Sequence, residues 1–313
     1  MLETITAAQQ PKVFSFEKIV IIGTGLMGTG IAQVALESGI QQVTVVGRSL
    51  DKCEEAKKKV LLGIQKSTKR RMSNESLEQQ QKYIEAVIKN LKFVCDLEEA
   101  NLVNADMVIE AVVENLKVKQ KLFVDLESRV SENCLLVTNT SSFLLEDVSC
   151  KMNEDRLKNF GGLHFFNPVP AMKLVEVVKG NKTCDEVNEA LFRFCQKIGK
   201  SPVKCSDSPG FIVNRLLIPY LADSMRLAES GNASHRDIDA AMRLGTGHPM
   251  GPFELMDYIG LDTMKFIMDG WHQRCPDDHR YTPCESLERL VTSGKVGRKC
   301  GEGFYRYTAA NKQ

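Results

Sequence analysis

The chain has 313 residues, 43% of them hydrophobic and 26% charged, a composition typical of globular proteins and a length sufficient for two domains. Its formal net charge of +1 gives no electrostatic reason to expect nucleic acid or an anionic membrane surface as a partner. It lacks an apolar run of about 18 residues, so no membrane span is predicted. The ten cysteines stand singly, which indicates reduced intracellular thiols.

The first predicted elements are a strand and a helix separated by glycines. The β-branched run at 19–22 predicts a buried parallel strand, and apolar residues at helical spacing predict a helix that stops near Gly39. Between them, Gly23 permits a tight turn, Gly25 lets the backbone approach a pyrophosphate, and Gly28 lets the helix pack on the strand. The helix N-terminus then faces the phosphates. This order predicts a dinucleotide-binding site; the alternative is an ordinary glycine-rich turn.

Strands and helices alternate over the next part of the chain. Further strands are predicted at 43–46, 92–94, 107–109, 135–138, 163–166, 174–178 and 202–205, and a pair of long helices is inserted at 51–91. This alternation predicts an α/β fold, a Rossmann-type doubly wound parallel sheet, over residues 1–206. From 207 to 313 the pattern is helical, with an apolar stripe at Val213, Leu216, Leu217, Tyr220 and Leu221. We interpret that part as a C-terminal all-α domain that dimerises through apolar helix faces.

Two residues on neighbouring predicted strands point to acid–base chemistry. His164 stands at a strand end, and Glu176 interrupts the next apolar strand. A buried carboxylate without a partner is costly, and a carboxylate beside an imidazole orients the ring to take a proton from an alcohol. The alternative is a structural histidine beside an unrelated ion pair.

Several longer motifs occur in a fixed order. They are GTGLMG at 23–28, EAVVENLKVK at 110–119, NTSS at 139–142, GGLHFFNPVP at 161–170, DSPGFIVNR at 207–215, GPFEL at 251–255 and GEGFY at 301–305. Through them the chain resembles the L-3-hydroxyacyl-CoA dehydrogenases, the short-chain enzymes of fatty-acid β-oxidation, from Ile19 to Tyr307. The resemblance implies an oxidoreductase that interconverts (S)-3-hydroxyacyl-CoA and 3-ketoacyl-CoA by hydride transfer to NAD. Alternatives are a related 3-hydroxybutyryl-CoA or 3-hydroxy acid dehydrogenase and a non-catalytic dinucleotide-binding relative.

The same resemblance implies residue roles. His164 would be the general base with Glu176 as its partner, and Ser141 and Asn214 would hydrogen-bond the reacting oxygen. The implied cofactor contacts are Gly23, Gly25, Leu26, Met27, Gly28, Gly47, Arg48, Glu114, Lys119, Ser141, Asn167 and Lys299. Lys69 and Arg70 match positions that hold a coenzyme A phosphate, although a basic run on a helix also describes a solvated face.

Two positions depart from the family pattern. An NAD-binding strand normally ends on an acid that binds the ribose, but Gly47 followed by Arg48 stands there, which leaves NADP as an alternative to NAD. Gly63 stands near the position where the family can place a serine that contacts coenzyme A.

The remaining expectations concern metals, partners and location. His272, Cys275, His279 and Cys284 have metal-like spacing in a polar loop, which we interpret as coincidence, so no metal is predicted. The first fifteen residues, with Glu3 and Lys12, match a transit peptide poorly, and residues 311–313 are not a peroxisomal address. The resemblance implies a homodimer in the mitochondrial matrix that binds acyl-CoA. The cytoplasm and the peroxisome are alternative locations.

Overall fold

The computed structural model describes residues 14–308. The sequence positions considered for targeting, Glu3, Lys12 and residues 311–313, therefore lie outside the described residues. The chain forms two compact units, the first extending through Phe211 and the second beginning at Ile212. Within the described residues, the helices are too short or too polar to cross a lipid bilayer.

The first unit is built on an eight-stranded sheet. Its strands are β1 (Lys18–Ile22), β2 (Gln42–Val46), β3 (Leu91–Val94), β4 (Met107–Glu110), β5 (Leu135–Thr138), β6 (Phe160–Phe165), β7 (Leu174–Lys179) and β8 (Ser201–Ser206). Its helices are α1 (Leu26–Glu37), α2 (Leu50–Arg71), α3 (Leu77–Ile88), α4 (Leu116–Glu127), α5 (Leu145–Ser149), α6 (Glu154–Leu157) and α7 (Asp185–Lys197), with 3-10 turns at 98–100 and 102–104. The strand order is β3-β2-β1-β4-β5-β6-β7-β8. The fold class predicted from the sequence is confirmed.

The apolar runs in the strands follow from burial on both faces of the sheet. Ile19 and Ile21 of β1 belong to the core that includes α1 and α7, whereas Val20 and Ile22 belong to the core on the opposite face that includes Phe123 of α4. A strand covered on both faces has no polar side, which explains why these segments read as continuous β-branched runs.

One strand departs from the predicted parallel sheet. β7 runs antiparallel to β6, while β7 and β8 are parallel to each other. The link between β6 and β7 covers only residues 166–173 and contains no helix, and a parallel crossover needs a longer connection. This reversal places His164 directly opposite Glu176 in the ladder.

The predicted helix insertion is present as α2 and α3. Ser76 begins α3 with a capping box, in which its hydroxyl accepts from Gln79 N at 3.2 Å and its own N–H donates to the Gln79 side chain at 2.9 Å. The apolar spacing of Val118, Leu122 and Leu126 predicts one buried face of α4. Leu126 is buried and Leu122 is partly buried, but Val118 is exposed, and Lys119 and Phe123 are buried as well. Because Lys119 is charged, the apolar spacing of α4 did not predict that it lies on the buried face.

The second unit is helical around its own core. It contains α8 (Val213–Glu229), α9 (His235–Thr246), α10 (Pro252–Ile259), α11 (Leu261–Arg274) and α12 (Glu285–Thr292), with a 3-10 turn at 279–281. The apolar residues of α8 are divided: Leu221, Ile218 and Met225 are buried, whereas Leu216 is 70% exposed. Asp257, also buried, accepts from Phe304 N and Tyr305 N at 2.9 Å and so anchors the C-terminal segment.

Candidate active site

The glycine turn after β1 has the shape predicted from the sequence. Gly23 has a φ of +130°, and its N–H donates to Val46 O at 2.9 Å. A methyl group added to Gly23 would overlap the carbonyl of Ala111, and one added to Gly28 would overlap the carbonyl of Gly23. Both glycines are therefore required by close backbone contacts, and α1 begins directly beneath the turn.

Gly25, the N-cap of α1, differs from its two neighbours. A Cβ added to Gly25 would have nothing within 4 Å, so the space above its backbone is open. Leu26 beside it is 67% exposed and Met27 is partly buried. An open surface above the unpaired N–H groups of a helix N-terminus fits the pyrophosphate of a dinucleotide.

Gly47 and Arg48 follow β2 at the same edge of the sheet. Gly47 N donates to Val94 O at 2.9 Å, and Arg48 is exposed. A Cβ on Gly47 would lie 2.5 Å from the Cys53 sulfur and 2.9 Å from Cγ2 of Thr24. Packing beneath the turn thus explains why a side chain is missing where the usual acid would stand.

A buried charge network lies at the ends of β4 and β5. Glu110 and Lys119 are almost completely buried, and Nζ of Lys119 lies 2.6 Å from Oε1 of Glu110 and 3.0 Å from Oε2 of Glu114. Oε2 of Glu110 accepts from the Thr138 hydroxyl at 2.6 Å, and Oε1 accepts from Val112 N at 2.8 Å. Each charge is compensated, which is the condition for burying it. The network fixes Glu114 at the strand edge.

Glu114 in turn organises the loop that carries Ser141. Its Oε1 accepts from Ser141 N at 3.2 Å and from Ser142 N at 3.1 Å, and the Thr140 hydroxyl also donates to it. The Ser141 hydroxyl lies 3.3 Å from that of Ser142. Two predicted site residues, Glu114 and Ser141, are therefore in direct contact.

His164 and Glu176 form a buried pair. The Nδ1 atom of His164 lies 2.6 Å from Oε2 of Glu176; His164 is 5% exposed and Glu176 is 0% exposed. His164 lies near the C-terminal end of β6, which is parallel to β5, so this pair lies at the same edge of the sheet as the glycine turn and Ser141. Asn167, two residues beyond β6, is exposed.

Two aromatic rings flank the imidazole. The ring of Phe166 is 4.5 Å and that of Phe211 is 5.6 Å from the His164 ring, measured between centroids. Phe211 is buried with a φ of +52°, a left-handed conformation that costs a non-glycine residue about 1–2 kcal/mol. The nearby Asp207 accepts from Leu145 N at 2.9 Å and Glu146 N at 3.0 Å, and burial raises the pKa of its carboxyl.

A basic groove lies between α2 and the segment after β6. It has a volume of about 380 Å³ and is lined by Gln33, Gly63, Lys66, Ser67, Arg70, Pro170 and Ala171. Arg70 is thus part of the groove, whereas Lys69 projects from α2 outside its lining. Lys66, which the sequence reading did not single out, is the second basic residue there.

Two predicted site residues belong to the second unit. Asn214 lies in the first turn of α8 and is partly buried. Lys299 is exposed, and its Nζ lies 2.5 Å from Oδ1 of Asp262. Among residues 14–308, no group of three or more histidine, cysteine or acidic side chains is arranged to hold a metal ion.

Several residues that shape this edge of the sheet were assigned no role from the sequence, although all but Thr138 stand in its longer motifs. They are Glu110, Thr138, Thr140, Asp207 and Phe211. Glu110 carried a usable signal, because it ends an apolar strand just as Glu176 interrupts one. The threonines, by contrast, are typical strand residues and carried none.

Comparison with known proteins agrees with this geometry. Residues 18–208 match the family described as 3-hydroxyacyl-CoA dehydrogenase, NAD binding domain, and residues 210–307 match its C-terminal domain. The mitochondrial hydroxyacyl-coenzyme A dehydrogenase of Homo sapiens is 45% identical over 304 residues, which cover 96% of this chain and 95% of the relative. That of Rattus norvegicus is 46% identical over 299 residues, covering 95% and 93%.

The solved structures include a similar chain. The (S)-3-hydroxybutyryl-CoA dehydrogenase of Ralstonia eutropha superposes with a TM-score of 0.86 at 33% identity, over 94% of this chain and 100% of that one. These matches confirm the predicted enzyme class, an oxidoreductase of 3-hydroxyacyl-CoA, and its cofactor NAD. The chain belongs to the 3-hydroxyacyl-CoA dehydrogenase family.

Proposed function

We propose that the protein oxidises short-chain (S)-3-hydroxyacyl-CoA in fatty-acid β-oxidation, with His164 as the general base and Glu176 as its partner. The observation that carries these roles is the buried contact between Nδ1 of His164 and Oε2 of Glu176, 2.6 Å long, at the sheet edge that also holds the glycine turn. A carboxylate on Nδ1 fixes the tautomer and leaves Nε2 as the nitrogen that faces the substrate.

The reaction requires a proton and a hydride to leave the substrate. NAD, when bound, accepts the hydride from C3. His164 takes the hydroxyl proton at Nε2, and Glu176 stabilises the imidazolium that results. Phe166 and Phe211 beside the ring exclude water from it, which strengthens the interaction between the ring and the carboxylate.

The reacting oxygen and the cofactor need positioned donors. We assign Ser141 and Asn214 to the oxygen and Gly23, Gly25, Leu26, Met27, Gly28, Gly47, Arg48, Glu114, Lys119, Ser141, Asn167 and Lys299 to the cofactor. The open surface above Gly25 supports the pyrophosphate position. Lys119 is 1% exposed and bonded to two carboxylates, so we propose that it serves the cofactor indirectly, by holding Glu114 in place.

Coenzyme A needs a basic surface for its phosphates. We assign Lys69 and Arg70 to this role, and the groove beside α2 supports Arg70 and adds Lys66. Gly63 lines the same groove and offers no hydroxyl where the family can have a serine.

Assembly and location complete the proposal. We propose a homodimer formed through the second unit, in which Leu216, Leu244 and Phe266 are 70%, 87% and 58% exposed. Exposed apolar side chains at this density favour an interface. We also propose the mitochondrial matrix as the location, since the relatives from Homo sapiens and Rattus norvegicus carry that location in their names.

The decisive test is the initial rate of acetoacetyl-CoA reduction by purified protein with NADH or NADPH at equal concentration. We expect turnover with NADH and a loss of about 10²- to 10⁴-fold in His164→Ala, with NADH binding retained. A chain-length series of 3-ketoacyl-CoA substrates defines the preference. Absence of turnover on every acyl-CoA, or unchanged turnover in His164→Ala, contradicts the proposal.

A further inference from the structure

Two cysteine sulfurs meet beneath the turn that follows β2. Cys53 lies in the first turn of α2, and Cys95 directly follows β3. Their sulfur atoms are 3.4 Å apart, and the Cys53 thiol also donates to Val94 O at 3.4 Å. Cys53 is buried and Cys95 is partly exposed. The pair therefore joins two segments that are 42 residues apart in sequence.

This pair supports the turn that we assign to the cofactor. The Cys53 sulfur occupies the place next to Gly47 where a side chain would stand, and Gly47 N donates to the carbonyl of Val94, the residue before Cys95. Cys53 N bonds to the carbonyl of Ser49 at 3.0 Å. Both cysteines are thus tied to the two ends of the Gly47–Ser49 turn.

We propose that Cys53 and Cys95 are a modification site, an oxidisable thiol pair that forms an intramolecular disulfide with hydrogen peroxide as the oxidant and thereby weakens binding of NADH. The effect on NADH rests on the proposed role of Gly47 and Arg48, whereas formation of the disulfide does not.

The chemistry balances in two steps. Peroxide transfers one oxygen to the partly exposed Cys95 thiol, giving a sulfenic acid and water. The Cys53 sulfur then attacks the Cys95 sulfur, the S–O bond breaks, and hydroxide leaves with the Cys53 proton as a second water. Burial raises the pKa of the Cys53 thiol to about 11, so the partly exposed Cys95 is the thiol that peroxide meets, and the 3.4 Å contact places the Cys53 sulfur for the second step.

Disulfide formation draws together the two segments that hold the turn. An S–S bond is about 2.05 Å long, so sulfurs now 3.4 Å apart must approach by more than 1 Å. Rotation of the two side chains supplies part of this approach, and the remainder shifts the first turn of α2 or the segment after β3, which both hold the Gly47–Ser49 turn. Coupling between two sites typically changes affinity about 5- to 150-fold. For disulfide formation and NADH binding we expect the low end of this range, about fivefold weaker NADH binding.

The experiment uses the full chain. It is treated with hydrogen peroxide, quenched with catalase and divided between non-reducing peptide mapping and an NADH titration followed by nucleotide fluorescence. We expect a Cys53–Cys95 linked peptide and weaker NADH binding. Dithiothreitol should remove the linked peptide and restore the NADH affinity. A linked peptide with unchanged NADH affinity overturns the regulatory part, and absence of the linked peptide overturns the site itself.

Matched variants identify the cysteines responsible. Cys95→Ser removes the partly exposed thiol, and Cys53→Ala provides a second variant in case one fails to fold; both should keep their NADH affinity through peroxide treatment. Cys275→Ser removes an exposed cysteine in the second unit and should respond as the unaltered protein does. A persistent loss of affinity in Cys95→Ser overturns the proposal. Neither NADH binding nor peptide mapping requires turnover. A failure of the proposed dehydrogenase reaction can therefore be told apart from a failure of the disulfide proposal.

Discussion

His164 and Glu176 face each other across an antiparallel strand pair, with Nδ1 and Oε2 2.6 Å apart and both side chains buried. Their contact depends on the reversal of β7, because only an antiparallel neighbour brings the beginning of one strand to the end of the other. The carboxylate is compensated by the imidazole, and the imidazole is held in one orientation.

We expect Glu176→Gln to reduce kcat by about 10- to 100-fold, by analogy with the range found when the hydrogen-bond partner of a metal-bound histidine is lost. The amide keeps the shape but removes the charge that stabilises the protonated ring. Steady-state kinetics with acetoacetyl-CoA and NADH measures the change. Glu189→Gln, which breaks an exposed pair with Lys204, is the control and should leave kcat unaltered. Equal kcat in both variants would remove Glu176 from the mechanism.

The glycine turn gives a prediction that separates folding from binding. Gly28→Ala places a methyl group against the carbonyl of Gly23 and should cost about 1–3 kcal/mol of unfolding free energy. Gly25→Ala meets open space, so it should fold with little loss yet weaken NADH binding at least tenfold, about 1.4 kcal/mol. Urea unfolding and NADH titration measure the two quantities.

A control for the same experiment lies in α9. Gly245→Ala also meets open space but lies in the last turn of α9, far along the chain, and it should raise stability by no more than about 0.5–1 kcal/mol without altering NADH affinity. Tight NADH binding by Gly25→Ala would show that the pyrophosphate does not approach this turn.

The buried network predicts strong coupling between Glu110 and Lys119. Lys119→Met leaves the buried Glu110 carboxylate without its cationic partner and should cost about 3–5 kcal/mol of unfolding free energy, whereas Glu110→Gln should cost less because Glu114 still pairs with Lys119. The double variant should lose less than the sum of the two, since neither charge remains. Urea unfolding of the four proteins measures the coupling.

An exposed pair is the control for that cycle. Lys158 and Asp155 are 59% and 94% exposed, and the same type of cycle there should give a coupling below about 1 kcal/mol. A coupling between Glu110 and Lys119 as small as this would mean that water reaches the network.

The turn after β2 predicts how cofactor selectivity can be altered. Gly47→Asp introduces the acid that NAD-binding strands usually carry, but its side chain meets the Cys53 sulfur. We therefore expect Gly47→Asp alone to lose stability and Gly47→Asp with Cys53→Ala to recover part of it, since the contact with Cγ2 of Thr24 remains. The double variant should show a larger ratio of kcat/KM for NADH to that for NADPH, because the carboxylate repels a 2′-phosphate. An unchanged ratio would place the ribose elsewhere.

Thiol reactivity should follow burial. Burial raises the pKa of the Cys134 thiol to about 12 and that of Cys53 to about 11, so at pH 8 only about one Cys53 thiol in a thousand is the reactive thiolate. Iodoacetamide should label the exposed Cys150 and Cys275 first, and the labelling of Cys53 should accelerate as pH rises toward 11. Mass spectrometry of timed samples measures the order; protein unfolded in urea should label at all sites alike.

Local patterns specified much of this fold. β-branched runs such as 19–22 and the glycines after them predicted strand, turn and helix because these elements follow from periodicity and backbone sterics over a few residues. The direction of β7 did not follow, since strand direction depends on the connection between strands and not on the strand's own residues. The exposure of Val118 was also misjudged, because a helix face is defined by what packs against it.

The sequence by itself determined the α/β class, the dinucleotide turn, the helical C-terminal part and the choice of His164 and Glu176, because each depends on spacing along the chain. Only the tertiary structure decided that β7 is reversed, that Glu110 joins Lys119 and Thr138, that Lys66 lines the groove with Arg70, and that Cys53 and Cys95 meet beneath Gly47. Those relationships join residues from different elements, and the physical reason is that packing, not sequence spacing, decides which buried charges and thiols become neighbours.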